Sequence, residues 1–167
     1  MQSAENKTGK ISIKDVKIDE KDKKIFNLLN KNSRTTLKDM AKEVGMSIDG
    51  VKGRLEKMLE CGAIMRLCAI PNPAFFGLPV DAQVYVKLKD ITDEKLQQFL
   101  TYLKNHDRII IVFSVIGNYD LFFVILAKSA AELASLKNEI RKRFSSIIAD
   151  WNETITAELS KYEVYKF

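Results

Sequence analysis

Asn32–Gly62 reads NSRTTLKDMAKEVGMSIDGVKGRLEKMLECG, two short helical patterns on either side of a glycine. Thr36 is placed to cap the first, because its hydroxyl can accept a free backbone N–H and Asp39 follows at capping-box spacing. Leu37, Met40, Ala41 and Val44 then recur at helical intervals. Gly45 stops the run, since glycine enters the left-handed conformation at little cost. Ser47 caps the second pattern, whose apolar stripe is Ile48, Val51, Leu55 and Met58. Its other face carries Asp49, Gly50, Lys52, Gly53, Arg54, Glu56 and Lys57. Helix, glycine turn and a helix with a polar outer face make the pattern of a helix-turn-helix, whose second helix can enter a DNA major groove. An ordinary helical hairpin in a core has the same pattern, so the stretch by itself leaves both readings open.

Upstream, Asp19 is an N-cap for a helix that carries Ile25, Phe26, Leu28 and Leu29 and ends near Asn30. Three helices this short are unstable singly and bury a small core together. Residues 1–17 are polar and lysine-containing, without an apolar period, and read as a flexible extension. Downstream, Ala63–Pro71 (AIMRLCAIP) reads as extended, either a wing or a hinge arm. PNPAFFGLP then breaks regular structure at Pro71 and Pro73.

From Val80 the period changes to two. Val80, Ala82, Val84, Val86 and Leu88 alternate with Asp81, Gln83, Tyr85 and Lys87, a half-buried strand. Thr92 caps a helix to about Asn105, with Leu96, Phe99, Leu100 and Leu103 on one side. Ile109–Ile116 and Leu121–Ala127 are apolar on both faces, and Gly117–Asp120 (GNYD) between them is a turn by composition. Ser129 caps a helix with Leu133, Leu136, Ile140 and Phe144 as its stripe. Ile147–Phe167 reads as one long strand or a bent pair, with Trp151, Ile155, Ala157 and Leu159 inward. The order strand, helix, strand, strand, helix, strand is the split βαβ, ferredoxin-like arrangement, with two helices on one face of an antiparallel sheet. The fold class expected is therefore α+β: a three-helix, winged helix-turn-helix unit followed by a ferredoxin-like βαββαβ unit. The expected spans are 1–17 for the extension, 18–66 for the helix-turn-helix, 67–79 for a linker or hinge strand, and 80–167 for the sheet. Strands apolar on both faces need a second cover. A second copy of the sheet supplies it more readily than the chain's own loops, which points to a homodimer.

The chain carries 27 Lys/Arg and 22 Asp/Glu, a net charge of +5. Residues 1–66 hold 15 Lys/Arg against 10 Asp/Glu, and residues 67–167 hold 12 of each. The whole excess lies with the candidate helix-turn-helix, where it would gain affinity from phosphates by counterion release. No apolar run reaches the roughly 18 residues of a membrane span, and MQSAENKTGK lacks the apolar core of a secretory signal. Cys61 and Cys68 lack a CxxC partner, and the one histidine, His106, is distant in sequence. They read as small hydrophobes in a reducing cytoplasm, with no metal site and no cofactor.

Taken together, IDEKDKKIFNLLNKNSRTTLKDMAKEVGMS, the VKGRLEKM segment, CGAI and VIGNYDLFFVI resemble the Lrp/AsnC ("feast/famine") transcriptional regulators of bacteria and archaea. The resemblance runs from Ile18 to about Phe167. It implies a DNA-binding N-terminal part and a C-terminal part that forms a homodimer or higher homo-oligomer and holds a small effector, often an amino acid, near a subunit interface. The family's Gly-x-Tyr-Asp loop maps onto Gly117, Asn118, Tyr119 and Asp120. Glycine allows close backbone approach to a ligand there, and the aspartate can pair with an ammonium group. A plain β-turn without ligand accounts for the same residues. Thr154 and Thr156 could add hydroxyls to such a pocket or be ordinary strand residues.

The DNA-facing set expected on double-stranded DNA is Arg34, Ser47, Asp49, Lys52, Arg54 and Lys57. Lys52, Arg54 and Lys57 are long enough to reach phosphates or base edges, and Arg34 either touches the DNA backbone or is structural. Gly50 and Gly53 thin the reading face, each at about 1 kcal/mol against alanine. They either let the helix backbone approach the groove wall or mark an adaptable helix. The leading expectation is a sequence-specific, cytoplasmic DNA-binding regulator without enzymatic activity. The alternative is a tetrapyrrole (sirohaem-type) decarboxylase, since some such enzymes share the two-part arrangement; against it stands a single histidine and no clustered His/Arg set.

Overall fold

Asp19 starts the first helix as the sequence expects. Its carboxylate accepts the Lys21 and Asp22 N–H groups, and the Asp22 side chain returns the favour to the Asp19 N–H, a complete capping box. The computed structural model describes residues 17–158, 161, 165 and 167. Three helices follow one another: α1 (Glu20–Lys31), α2 (Leu37–Val44) and α3 (Ile48–Glu60). Thr36 caps α2 by accepting the Asp39 N–H, and Ser47 caps α3 by accepting the Gly50 N–H. Gly45, at φ +68°, makes the left-handed turn between them. Ile25, Met40, Ala41, Val44, Val51, Met58 and Ile64 form the core of this unit, with Phe26, Leu28, Leu29, Leu37 and Leu55 packed around it. Ile48, expected on the buried stripe, is instead 47% exposed, because it sits in the first turn of α3, outside that core.

The four strands are β1 (Val80–Leu88), β2 (Ile109–Ser114), β3 (Leu121–Ala127) and β4 (Ile148–Ile155), with α4 (Asp93–Asn105) and α5 (Ala130–Arg143) between them. Thr92 and Ser129 cap the two helices. The sheet order is β2-β3-β1-β4, every pair antiparallel, which is the ferredoxin-like order. Ala82, Val84, Val86 and Leu88 of β1 join Leu121, Phe123, Ile125, Phe99, Leu103, Leu133 and Ile140 in one core between sheet and helices. On the other face Tyr119, Tyr85, Phe122 and Phe113 form a chain of ring contacts, with successive centroids 5.6, 5.1 and 5.9 Å apart. Phe113 is 55% exposed and Ile116 is wholly so.

Two expectations, both on the last segment, are corrected. Ala63–Pro71, read as extended, is assigned neither helix nor strand, and β1 begins at Val80, so no strand lies within 67–79 among the described residues. A strand needs a hydrogen-bonded neighbour, and no described residue supplies one to this segment. A single 3₁₀ turn, Pro73–Phe76, interrupts it and leaves Phe75 and Phe76 exposed. The last strand ends at Ile155, which is exposed along with Ala157; Trp151 is buried, and Leu159 lies outside the described residues. The chain divides into two compact units, Met1–Ala69 with Lys161–Phe167, and Ile70–Ser160. The last residues therefore group with the helical unit rather than with an 80–167 sheet unit, because Tyr165 and Phe167 pack on Phe26. No helix among the described residues is long and apolar enough to cross a membrane.

Candidate nucleic-acid interface

Capping by Ser47 and burial of Val51 and Met58 fix which way α3 faces. Asp49, Lys52, Gly53, Glu56 and Lys57, at spacings of three and four, are all exposed and share the opposite strip. Lys52 lies 3.9 Å from Glu56, a loose exposed pair that competes little with a phosphate. Lys57 has no ion pair among the described residues. The Ser47 hydroxyl is exposed but already holds the Gly50 N–H. Arg34 is exposed just before α2, with its own N–H on the Asn32 side chain at 3.0 Å. A Cβ on Gly53 would meet nothing within 4 Å, whereas one on Gly50 would stand 3.1 Å from both Met46 Cε and Ser47 Oγ. Packing thus accounts for Gly50 and not for Gly53.

Arg54 does not join that strip. Its Nη1 donates to Asp22 Oδ1 and Asp19 Oδ2, each at 2.7 Å, and its side chain is 28% exposed. Arg54, expected at a base or phosphate, is engaged as a clamp between α3 and the start of α1. The Asp22 N–H beside it, then the Arg54 guanidinium, hold the Asp19 carboxyl down at about 2. The cap at Asp19 was legible in the sequence. That Asp22 is only 2% exposed, and needs a cation brought from 32 residues away, was not.

In the other unit, Gly117 at φ +150° takes a backbone conformation that side chains rarely adopt. Tyr119 rests on the Tyr85 ring, and Asn118 is exposed. Asp120 is engaged: one oxygen accepts the Leu88 N–H at 2.7 Å and the other lies 3.2 Å from Lys87 Nζ. The Leu88 N–H, with the Lys87 ammonium adding to it, lowers the Asp120 pKa. Asp120 therefore anchors the loop to β1, and an ammonium group is already present at its carboxylate. Thr154 sits opposite Gln83, and the Thr156 hydroxyl donates to Asp81 at 3.0 Å. Asp120 meets β1 at Val86–Leu88, so Thr154 is roughly 10 Å away along the strand and Thr156 further. The chain does not gather these residues into one pocket. His106 is half-buried, with Nδ1 accepting the Arg108 N–H at 3.1 Å and its ring against Tyr102.

Residues 18–65 match the family model for winged helix-turn-helix DNA-binding domains. The regulatory protein AsnC of Haemophilus influenzae is 30% identical over 119 residues, which cover 71% of this chain and 78% of that protein. The chain belongs to the Lrp/AsnC family. A second relative, the HTH-type transcriptional regulator FL11 of Pyrococcus horikoshii, is 30% identical over 118 residues, 71% of this chain and 76% of its own. The crystal structure of the transcriptional regulator NMB0573 of Neisseria meningitidis, in complex with L-Met, matches with a TM-score of 0.77. It is 16% identical, and the match covers 87% of this chain and 94% of that one. This Lrp/AsnC protein is a transcriptional regulator with a winged helix-turn-helix at its N-terminal end and a ferredoxin-like sheet unit after it.

Proposed function

We propose that this Lrp/AsnC protein binds double-stranded DNA in a sequence-specific way, as a cytoplasmic homodimer or higher homo-oligomer, and that a small effector modulates it. The observation that carries the reading is the strip Asp49, Lys52, Gly53, Glu56 and Lys57: the second helix of a helix-turn-helix with its polar face exposed and one glycine that packing does not require. Lys52 and Lys57 contact phosphates or guanine edges, Arg34 touches the backbone, and the exposed Ser47 and Asp49 stand where α3 would enter the groove. The DNA-binding part is 18–66 and the assembly and effector part begins at 80. The exposed Phe113 and the ring series beside it support assembly of the sheet through its second face. That a fold relative was crystallised with L-Met supports an amino-acid effector. Gly117, Asn118 and Tyr119 are the residues of this chain placed to meet it, with Thr154 and Thr156 reached only if a second copy completes the site. None of these roles calls for a catalytic residue.

Gel-shift titration against the protein's own upstream DNA, at several salt concentrations, tests the reading. A preferred sequence with a negative slope of log K against log[salt] supports it. Binding without sequence preference and without a salt slope contradicts it.

A further inference from the structure

The outer side of α1 makes a contact that DNA reading does not use. Asn27 and Asn30 stand three residues apart, on one strip of the helix. Their side-chain amides donate to two main-chain carbonyls near the end of the sequence, Phe167 at 3.0 Å and Tyr165 at 2.9 Å. Those carbonyls are two residues apart in sequence. The Tyr165 and Phe167 rings stack, 5.9 Å between centroids and 11° apart in plane. Phe26, next to Asn27, meets both, at 6.5 Å edge-on and 5.3 Å tilted. All five residues belong to the same compact unit.

Main-chain hydrogen bonds that hold an extended segment, with a surface that selects its alternate side chains, are the general chemistry of peptide recognition. We infer that Phe26, Asn27 and Asn30 form a docking strip for an aromatic-x-aromatic segment, and that the chain's own Tyr165 and Phe167 fill it as a releasable latch. The latch is shallow: Tyr165 is 46% exposed and Phe167 67%, and both amide hydrogen bonds are exposed. Exposed hydrogen bonds and part-buried rings hold weakly on their own. Covalent tethering makes the site filled all the same, because a linked segment acts at an effective concentration in the millimolar range. Whatever draws the residues after β4 away from α1 bares the Phe26 strip of the helix-turn-helix unit. The inference stands independently of whether the protein binds DNA.

The test is a nuclear magnetic resonance titration with the peptide SKYEVYKF, the sequence of residues 160–167, followed at the Asn27 and Asn30 side-chain amides. It is run on the intact chain and on a full-length Tyr165→Ala/Phe167→Ala variant. The peptide should move both amides in the variant, with an apparent affinity at least about tenfold higher than in the intact chain, where the tethered copy competes. Equal response in the two proteins, or none in a variant whose circular dichroism matches the parent, overturns the inference. Should the double variant fail to fold, Asn27→Ala/Asn30→Ala in the intact chain decides. Narrowed Tyr165 and Phe167 ring resonances are expected there, and unchanged ones overturn the latch.

Discussion

Arg54 Nη1 lies 2.7 Å from Asp22 Oδ1, joining the middle of α3 to a carboxylate that is 2% exposed near the start of α1. The arginine with the most inviting place on the second helix thus ties that helix to the start of α1. Replacing it strands a buried carboxylate. Arg54→Ala should destabilise the helical unit by about 2–3 kcal/mol, less than a fully buried pair because the guanidinium is partly solvated. Urea unfolding followed by circular dichroism measures it. Its DNA affinity should fall with the loss of folded protein, while the salt slope of the folded fraction stays unchanged.

The two lysines on the open strip should behave in the opposite way. Lys57→Gln and Lys52→Gln should leave stability within about 0.5 kcal/mol. Each should flatten the slope of log K against log[salt] by about 0.9, the share of one phosphate contact. Salt-titrated binding of each variant beside the parent checks this.

Gly53 and Gly50 separate packing from reach. Gly53→Ala should raise stability by up to about 1 kcal/mol, since its Cβ meets nothing within 4 Å. Gly50→Ala should gain less, because its Cβ crowds the Ser47 hydroxyl that caps the helix. Thermal unfolding of both variants ranks them.

Acid should loosen the helical unit through Asp19. Its folded pKa, about 2, lies below the ordinary 3.8, so ionised Asp19 adds stability that is fully present above pH 4. That contribution is lost as pH falls from about 4 to about 2. In Asp19→Asn the dependence across this window should be shallower than in the parent, as read from urea midpoints at a series of pH values.

The elements were legible in the sequence because each is written locally. Thr36, Ser47, Thr92 and Ser129 all cap the helices they precede, and β1 buries alternate residues as its period of two requires. What escaped depends on partners distant in the chain. A helical wheel gives Arg54 a polar face but not the two aspartates waiting 32 and 35 residues upstream. Asp120 follows the glycine of a turn like a ligand-binding residue, yet the strand edge at Leu88 claims its carboxylate. The composition of Ile147–Phe167 is strand-like throughout, but the ladder with β1 ends at the Ala82–Ile155 pair, two residues short of the start of β1, followed by one more main-chain bond from the Thr156 N–H to the Asp81 carbonyl.

Selection from a random pool of duplex DNA, with and without a panel of amino acids, tests the central claim most directly. Enrichment of a roughly palindromic site, with half-sites about one helical turn apart or a multiple of it, is the expected result, weakened in the Lys52→Gln/Lys57→Gln variant. A pool that stays unenriched while the folded protein is present would contradict it.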